Sequence, residues 1–349
     1  MRQLIKWALL SYLFTFSLST QSVADMLSDA KLSDAKRAYF TGDFEKAEKL
    51  IRPMVEQGSG SAQNILGVMY FNGQGVAQDF QEAARLYLLS ATQGNAFSQN
   101  NLGSLYEDGQ GVTQDYQEAA KWYRQAAEQG YAFAQNNLGL LFRRGKGVAQ
   151  NYQEAERLYR LAAEQGNANG QYNLGLLYRR GQGVDQDYSE AVKWYRLAAE
   201  QGYALAQNNL GLLNANGQGV TQDYQEAAKW YRMAAEQGNG LAQYNLGLLT
   251  FNGKGATQDY EEAARLYRLA AEQGLASAQY ALGWMYANGQ GVEQDHVRAH
   301  MRFNLAENKG NSNAQKWRVS ISRGMTPAQI EQAQQMAREC EERNYKYCD

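Results

Sequence analysis

A period of 36 residues, repeated without an insertion, constrains this chain more than any other feature. A Leu-Gly pair places its glycine at Gly67, Gly103, Gly139, Gly175, Gly211, Gly247 and Gly283. A second series runs through Gly58, Gly94, Gly130, Gly166, Gly202, Gly238, Gly274 and Gly310, and Gly-x-Gly pairs beginning at Gly73, Gly109, Gly145, Gly181, Gly217, Gly253 and Gly289 keep the same step. Seven full units therefore run from Ser59 to Gly310 and differ from one another by substitution only. A fixed period of this length marks a stacked supersecondary unit. Such a unit is too small to bury its own apolar face, so neighbours stack into one continuous core.

The unit Tyr131 to Gly166 shows the internal logic. Apolar Ala134, Leu138, Leu141 and Phe142 recur at helical spacing and predict a helix from Ala132 to about Phe142. Gly145-Lys146-Gly147-Val148 breaks it, and Ala155, Tyr159 and Ala162 predict a second helix from Tyr152 to about Glu164, closed by Gln165-Gly166. With only two prolines in the chain, the 34 glycines are mostly punctuation. The mid-helix Gly139 series is the exception. A glycine there costs ~1 kcal/mol against alanine, so its recurrence implies a helix crossing too close for a Cβ. The fold class is all-α, a solenoid of antiparallel helix pairs.

The ends depart from the pattern. Residues 1–24 read as a signal peptide: Arg2 and Lys6, an apolar run from Trp7 to Leu18, and a small-residue cleavage site ending at Ala24. The run of 12 residues is shorter than the ~20 a bilayer needs, and no comparable stretch recurs. The mature chain is therefore expected in the periplasm or outside the cell, with no membrane span. Residues 25–58 form a capping half-repeat in which Phe40-Thr41-Gly42-Asp43-Phe44 replaces the longer loop, residues 59–310 the seven repeats, and residues 311–349 a tail whose Thr326-Pro327 starts a final capping helix. Cys340 and Cys348 are the only cysteines. In an oxidising compartment they are expected to form a disulfide pinning that end, the alternative being two free thiols.

The pattern A-x-x-x-L-G-x-x-Y, then G-x-G-V, D-Y, E-A-A, W-Y and A-A-E-Q-G, resembles the Sel1-like repeat family, a relative of the tetratricopeptide repeat. The resemblance covers about residues 35–310, and Met325-Thr326-Pro327-x-Gln329-Ile330 is similar to the end of bacterial members. It implies a right-handed superhelix of paired helices, used by adaptors in signalling, secretion, envelope assembly and host interaction. The regularly spaced cysteine pairs of one family subset are missing.

Comparing the units with one another separates scaffold from surface. The positions of Ala134, Leu138, Leu141 and Phe142 are nearly fixed and share one helical arc. Those of Phe133, Asn136, Leu140 and Arg143 vary together on a nearly opposite arc, which in related helical repeats lines the concave groove. Along the array the first of these holds Phe97, Phe133, Leu205 and Leu241, and the second Tyr172, Tyr244 and Tyr280 among asparagines. The third holds Leu140, Leu176, Leu212, Leu248 and Trp284, and the fourth Arg143, Arg179 and Phe251. A variable face rich in aromatics, leucine and asparagine resembles an interface core. The competing expectation for the leucines is packing against the neighbouring first helix. Arg143-Arg144 and Arg179-Arg180 read either as cations answering the helix dipole or as a clamp for a carboxylate.

Other chemistry finds little support. The balance of 34 Lys+Arg against 36 Asp+Glu gives no global attraction to nucleic acid. His296 and His300 stand i, i+4 and could ligate a metal, but replace Tyr and Ala of other units like ordinary substitutions. The Gly-x-Gly pairs lack the preceding strand of a phosphate loop. No catalytic residue, cofactor or metal is nominated. The reading is a non-catalytic scaffold binding a protein or peptide; an envelope glycan binder is the first alternative and a hydrolase of envelope material the second.

Overall fold

The computed structural model describes residues 30–255 and 257–348, so the leader expected over residues 1–24 and its expected cleavage after Ala24 lie outside the described residues. Helix α1 covers residues 30–40 and α2 Phe44–Glu56. Seven hairpins follow: α3 (Gly60–Asn72) with α4 (Phe80–Ala91), α5 (Ala96–Asp108) with α6 (Tyr116–Glu128), α7 (Ala132–Arg144) with α8 (Tyr152–Glu164), α9 (Ala168–Arg180) with α10 (Tyr188–Glu200), α11 (Ala204–Asn216) with α12 (Tyr224–Glu236), α13 (Gly240–Asn252) with α14 (Tyr260–Ala271), and α15 (Ala276–Asn288) with α16 (His296–Asn308). Helices α17 (Ser312–Ser322) and α18 (Pro327–Glu342) end the chain. Every element among the described residues is helical. The chain divides into two compact units, Met1–Ala162 and Ala163–Asp349, and each is described by itself.

The hairpin loop is dictated residue by residue. In the first unit, α5 ends on Gly109, whose φ of +71° is the left-handed cap conformation. Two residues on, a Cβ on Gly111 would stand 2.1 Å from the carbonyl oxygen of Phe80 in the preceding hairpin, so only glycine lets the stack close. Gln114 Nε2 then donates to the Glu107 carbonyl at 2.8 Å, and Asp115 accepts from the Gln117 and Glu118 amides to start α6.

Small residues set the packing distance. Ala119 and Ala126 on α6 and Ala134 on α7 are wholly buried, as are Ala191, Ala198 and Ala206 in the second unit. The mid-helix glycines make room for the second helix of the hairpin, first for a ring and, at Gly175 and Gly211, also for the carbonyl oxygens of Ala191 and Ala227, which a Cβ would meet at 3.3 and 3.2 Å. A Cβ on Gly103 or Gly139 would meet the ring of Tyr123 or Tyr159 at 2.7 Å, and one on Gly211 the ring of Tyr231 at 2.8 Å. Each such tyrosine comes from the second helix of the same hairpin and is buried.

One polar series runs through this core. Gln99, Gln207, Gln243 and Gln279 are at most 5% exposed. In the first unit Gln99 Nε2 donates to the Ala91 carbonyl at 3.1 Å, while its Oε1 accepts from Gln129 at 2.7 Å. In the second, Gln207 and Gln243 repeat this with Ala199, Gln237, Ala235 and Gln273, and Gln279 accepts from the buried Arg302 at 2.9 Å. Each amide thus adds a second donor to a carbonyl at the end of the preceding helix, whose backbone partner is the turn glycine amide, as Gly94 N–H on Ala91 at 3.0 Å.

Both ends differ from the sequence reading. The front is a complete short hairpin, α1 and α2 joined by Thr41-Gly42-Asp43, rather than half a repeat. At the rear the repeat persists one helix further. Helix α17 starts 36 residues after α15, is capped by Asn311 and buries Ala314. Its Ala314-Gln315 pair, the counterpart of Ala278-Gln279, is the signal that marks it. Helix α18 begins as expected, with Thr326 and Gln329 forming a reciprocal capping box. Cys340 and Cys348 are disulfide-bonded, with Cα atoms 5.2 Å apart.

Candidate aromatic groove on the first helices

In the second unit the first helices α11, α13 and α15 present their variable arc side by side. Tyr244, Leu248 and Phe251 of α13 and Tyr280 and Trp284 of α15 line one open pocket of about 310 Å³. Phe251 meets Trp284 edge-on at 5.7 Å between ring centres. Leu248 and Asn252 continue into a neighbouring pocket of about 390 Å³ with Leu212, Tyr224 and Lys254. Six residues nominated from sequence therefore share one groove. None is fully buried, so they have surface to offer a partner. Beneath them Tyr267 and Met285 belong to the core.

The groove is apolar, with few polar handles. Tyr244 and Tyr280 rest on the buried rings of Tyr267 and Phe303, at 5.7 and 5.8 Å. Burial raises the pKa of the Tyr244 hydroxyl above its ordinary value; a hydrogen bond with Ser277 opposes this and the neighbouring Tyr280 adds to it. Lys254 Nζ sits 5.0 Å from the centre of the Tyr224 ring, a cation–π contact that fixes one charge at the rim. Flat rings, an aliphatic wall and a few fixed polar groups suit binding.

In the first unit the same arc makes a second patch. Phe97 and Phe133 are 57% and 51% exposed, and Tyr131 bridges them at 4.8 and 5.6 Å. Phe97 also lines an apolar pocket of about 370 Å³ with Phe40, which is 82% exposed, and Val68. Phe40 and Tyr131 were not singled out from sequence. Phe40 lies in the cap outside the period, and Tyr131 occupies the N-cap position of α7, a place that usually reads as structural.

The remaining nominated residues separate. Leu205 and Leu241 are exposed. Tyr172 packs against Tyr195 and Tyr203 at 5.7 and 5.2 Å. Leu140 is partly buried. Leu176 is only 6% exposed and is a packing residue, so the expectation of a contact surface fails there. The asparagines of the arc are structural as well: Asn137 Nδ2 donates to Asn100 at 3.1 Å and Asn245 Nδ2 to Asn208 at 3.0 Å, tying adjacent first helices.

Arg143 and Arg179 also turn inward. Their Nε atoms are buried, and the guanidiniums lie beside the Tyr159 and Tyr195 hydroxyls of their own hairpins, counteracting the burial that raises those phenols. Glu107 holds the equivalent position and accepts from Tyr123 at 3.0 Å. The position serves the buried tyrosine beneath it. His300 is wholly buried, and no group of three or more His, Cys, Asp or Glu side chains among the described residues could hold a metal.

Comparison with known proteins agrees with this architecture. The family described as Sel1 repeat matches residues 60–95, 96–131, 132–167, 168–203, 204–239, 240–275 and 276–311. A Sel1 repeat protein from Oxalobacter formigenes is 34% identical, with the match covering 70% of this chain and 96% of that one at a TM-score of 0.63. A protective antigen of uropathogenic Escherichia coli strains, described as displaying an SLR fold, is 30% identical over 92% of this chain and 85% of its own, at a TM-score of 0.45. A putative Sel1 repeat protein from Klebsiella pneumoniae is 25% identical over 58% of this chain and 99% of its own, at 0.40. No curated protein matches.

Proposed function

Because this chain belongs to the Sel1-repeat family, we propose that it is a non-catalytic scaffold of the cell envelope or the secreted fraction, binding a protein or peptide in the groove of α11, α13 and α15. One observation carries the reading: Tyr244, Leu248, Phe251, Tyr280 and Trp284, chosen as positions free to vary between repeats, line a single open pocket. The scaffold beneath them is nearly invariant, so variation concentrates where it costs no stability. Large rings with few rotatable bonds lose little entropy on contact, which makes them effective anchors. The leader at residues 1–24 supports the location outside the cytoplasm.

A glycan on the same face is the second reading. It is favoured by the exposed run Phe97, Tyr131 and Phe133, whose rings could stack on sugars. A displayed random-peptide library panned against residues 25–349 separates the two. Peptides sharing an apolar or aromatic anchor should be enriched. They should be lost from a variant carrying Tyr244→Ala, Tyr280→Ala and Trp284→Ala at matched helicity, and should resist soluble saccharide. Equal enrichment by both proteins would remove the groove assignment, and displacement by saccharide would favour the glycan.

A further inference from the structure

The second helices carry a different feature. Trp230 of α12 is 4% exposed and packs with Tyr195, Ala198 and Ala199 of the preceding repeat and Leu210 of its own, while its indole N–H donates to Glu226 at 2.7 Å. The same position holds Leu158 in α8 and Leu266 in α14, each packed in the equivalent cluster: Leu158 with Tyr123, Ala126 and Leu138, Leu266 with Tyr231, Ala234 and Leu246. Leucine is much smaller than tryptophan, and a cleft opens at both places. One, of about 400 Å³, is lined by Arg124, Glu128, Glu154, Arg157, Leu158 and Leu161 among others. The other, of about 430 Å³, is lined by the equivalent Arg232, Glu236, Glu262, Arg265, Leu266 and Leu269. They lie in separate units, and in α4 Leu86, with Glu82 held by Arg85, repeats the leucine and its ion pair once more.

The lining is specific in its chemistry. Glu154 and Glu262 stand where Glu226 accepts the indole N–H of Trp230. Each is held by a two-pronged bond from the arginine three residues on, at 2.6 and 2.9 Å for Arg157 and 2.6 and 2.7 Å for Arg265. Arg124 and Arg232, exposed on the rim, form no ion pair or hydrogen bond among the described residues. Each cleft thus has a leucine floor, a placed acceptor and one guanidinium at the rim outside the Glu–Arg bond, and in the first cleft the charge of Arg124 also reaches Glu154.

We propose that the two clefts bind an aromatic side chain, an indole above all, whose own or adjacent carboxylate meets Arg124 or Arg232. Trp230 supplies the precedent, an indole seated at this position from within the chain with its N–H on Glu226, whereas the N–H groups of Trp122 and Trp194 at the same position have no acceptor among the described residues. The ligand is then a tryptophan at a peptide C-terminus or beside an acidic residue, and the surface is distinct from the first-helix groove.

The test titrates N-acetyl-L-tryptophan and its neutral amide into residues 25–349 by calorimetry. Two equivalent sites are expected, with the acid bound at least about threefold more tightly than the amide, the scale of a rim ion pair. The variant Leu158→Trp/Leu266→Trp fills both clefts from within. It should unfold at the same or a higher temperature and bind neither probe. The variant Arg124→Ala/Arg232→Ala should bind acid and amide alike. Absence of binding at millimolar probe, binding that survives the tryptophan substitutions, or a clear drop in unfolding temperature on filling would each overturn the proposal.

Discussion

At the scale of single residues, glycines that look alike do different work, and substitution should rank them. Gly130→Ala places a Cβ in open space and forces only a left-handed φ of +85°, a cost of ~1 kcal/mol. Gly139→Ala gains ~1 kcal/mol of helix propensity but drives a methyl to 2.7 Å from the Tyr159 ring, for a net loss of ~1–3 kcal/mol. Gly147→Ala combines a φ of +66° with a carbonyl oxygen 2.1 Å away, and should cost about 3 kcal/mol or more. Urea unfolding of the three variants checks the order, and equal losses would contradict the packing described.

His300 makes a second residue-scale prediction. Neither ring nitrogen has a hydrogen-bond partner. Burial, then the charge of Arg318, lower its pKa to about 4, with Glu307 opposing. Its neutral form fits the fold, so its contribution is complete above the ordinary histidine range. It is lost as pH falls from about 6.5 to about 4, by at most ~3 kcal/mol. The unfolding midpoint should drop across that interval, and His300→Leu should remove most of the slope. A slope unchanged in the variant would assign the effect to carboxylates instead.

At the scale of elements, the hairpins were legible because their signals are backbone signals: glycine caps, aspartate N-caps and a helical apolar spacing. The buried glutamines were not, although Gln63, Gln99, Gln135, Gln171, Gln207, Gln243 and Gln279 keep the period as strictly as any glycine. Glutamine reads as a surface residue, and its burial follows from two partners a single-helix pattern does not show, a carbonyl at the end of the preceding helix and a glutamine 30 residues on. Leu176 and Leu248 likewise hold one sequence position, yet the first is buried and the second borders the groove. That difference depends on the size of neighbours one repeat away, which a single-helix pattern does not contain. The C-terminal element yields its own prediction. Closing an eight-residue separation, the Cys340–Cys348 bond should contribute ~2–3 kcal/mol by restricting the unfolded tail. Cys340→Ser/Cys348→Ser should expose α18 to limited proteolysis while the far-ultraviolet helicity of the repeats stays the same. Unchanged cleavage would show that α18 is held by packing with Met301 and Leu305 alone.

At the scale of the whole molecule, the same interface recurs at each step within a unit, so stability is a sum over repeats and their junctions. Removing residues 96–131 as a block should leave helicity per residue unchanged, because the new junction rejoins like with like. Removing half as many should destroy it. The glutamine series has a consequence beyond folding. Gln99, Gln207 and Gln243 bond to the same groups in each repeat, so these bonds do not record a repeat's place in the order, whereas Gln279, which accepts from Arg302, marks the last one. An unequal exchange between two inner copies of the coding segment would add or delete one whole repeat in frame, and glutamines such as Gln99, Gln207 and Gln243 would find the same partners in the new neighbour. Length in such a lineage is free to drift, and what selection can hold in place are the departures from the pattern: the aromatic positions on the first helices, and the leucines that stand where tryptophan could.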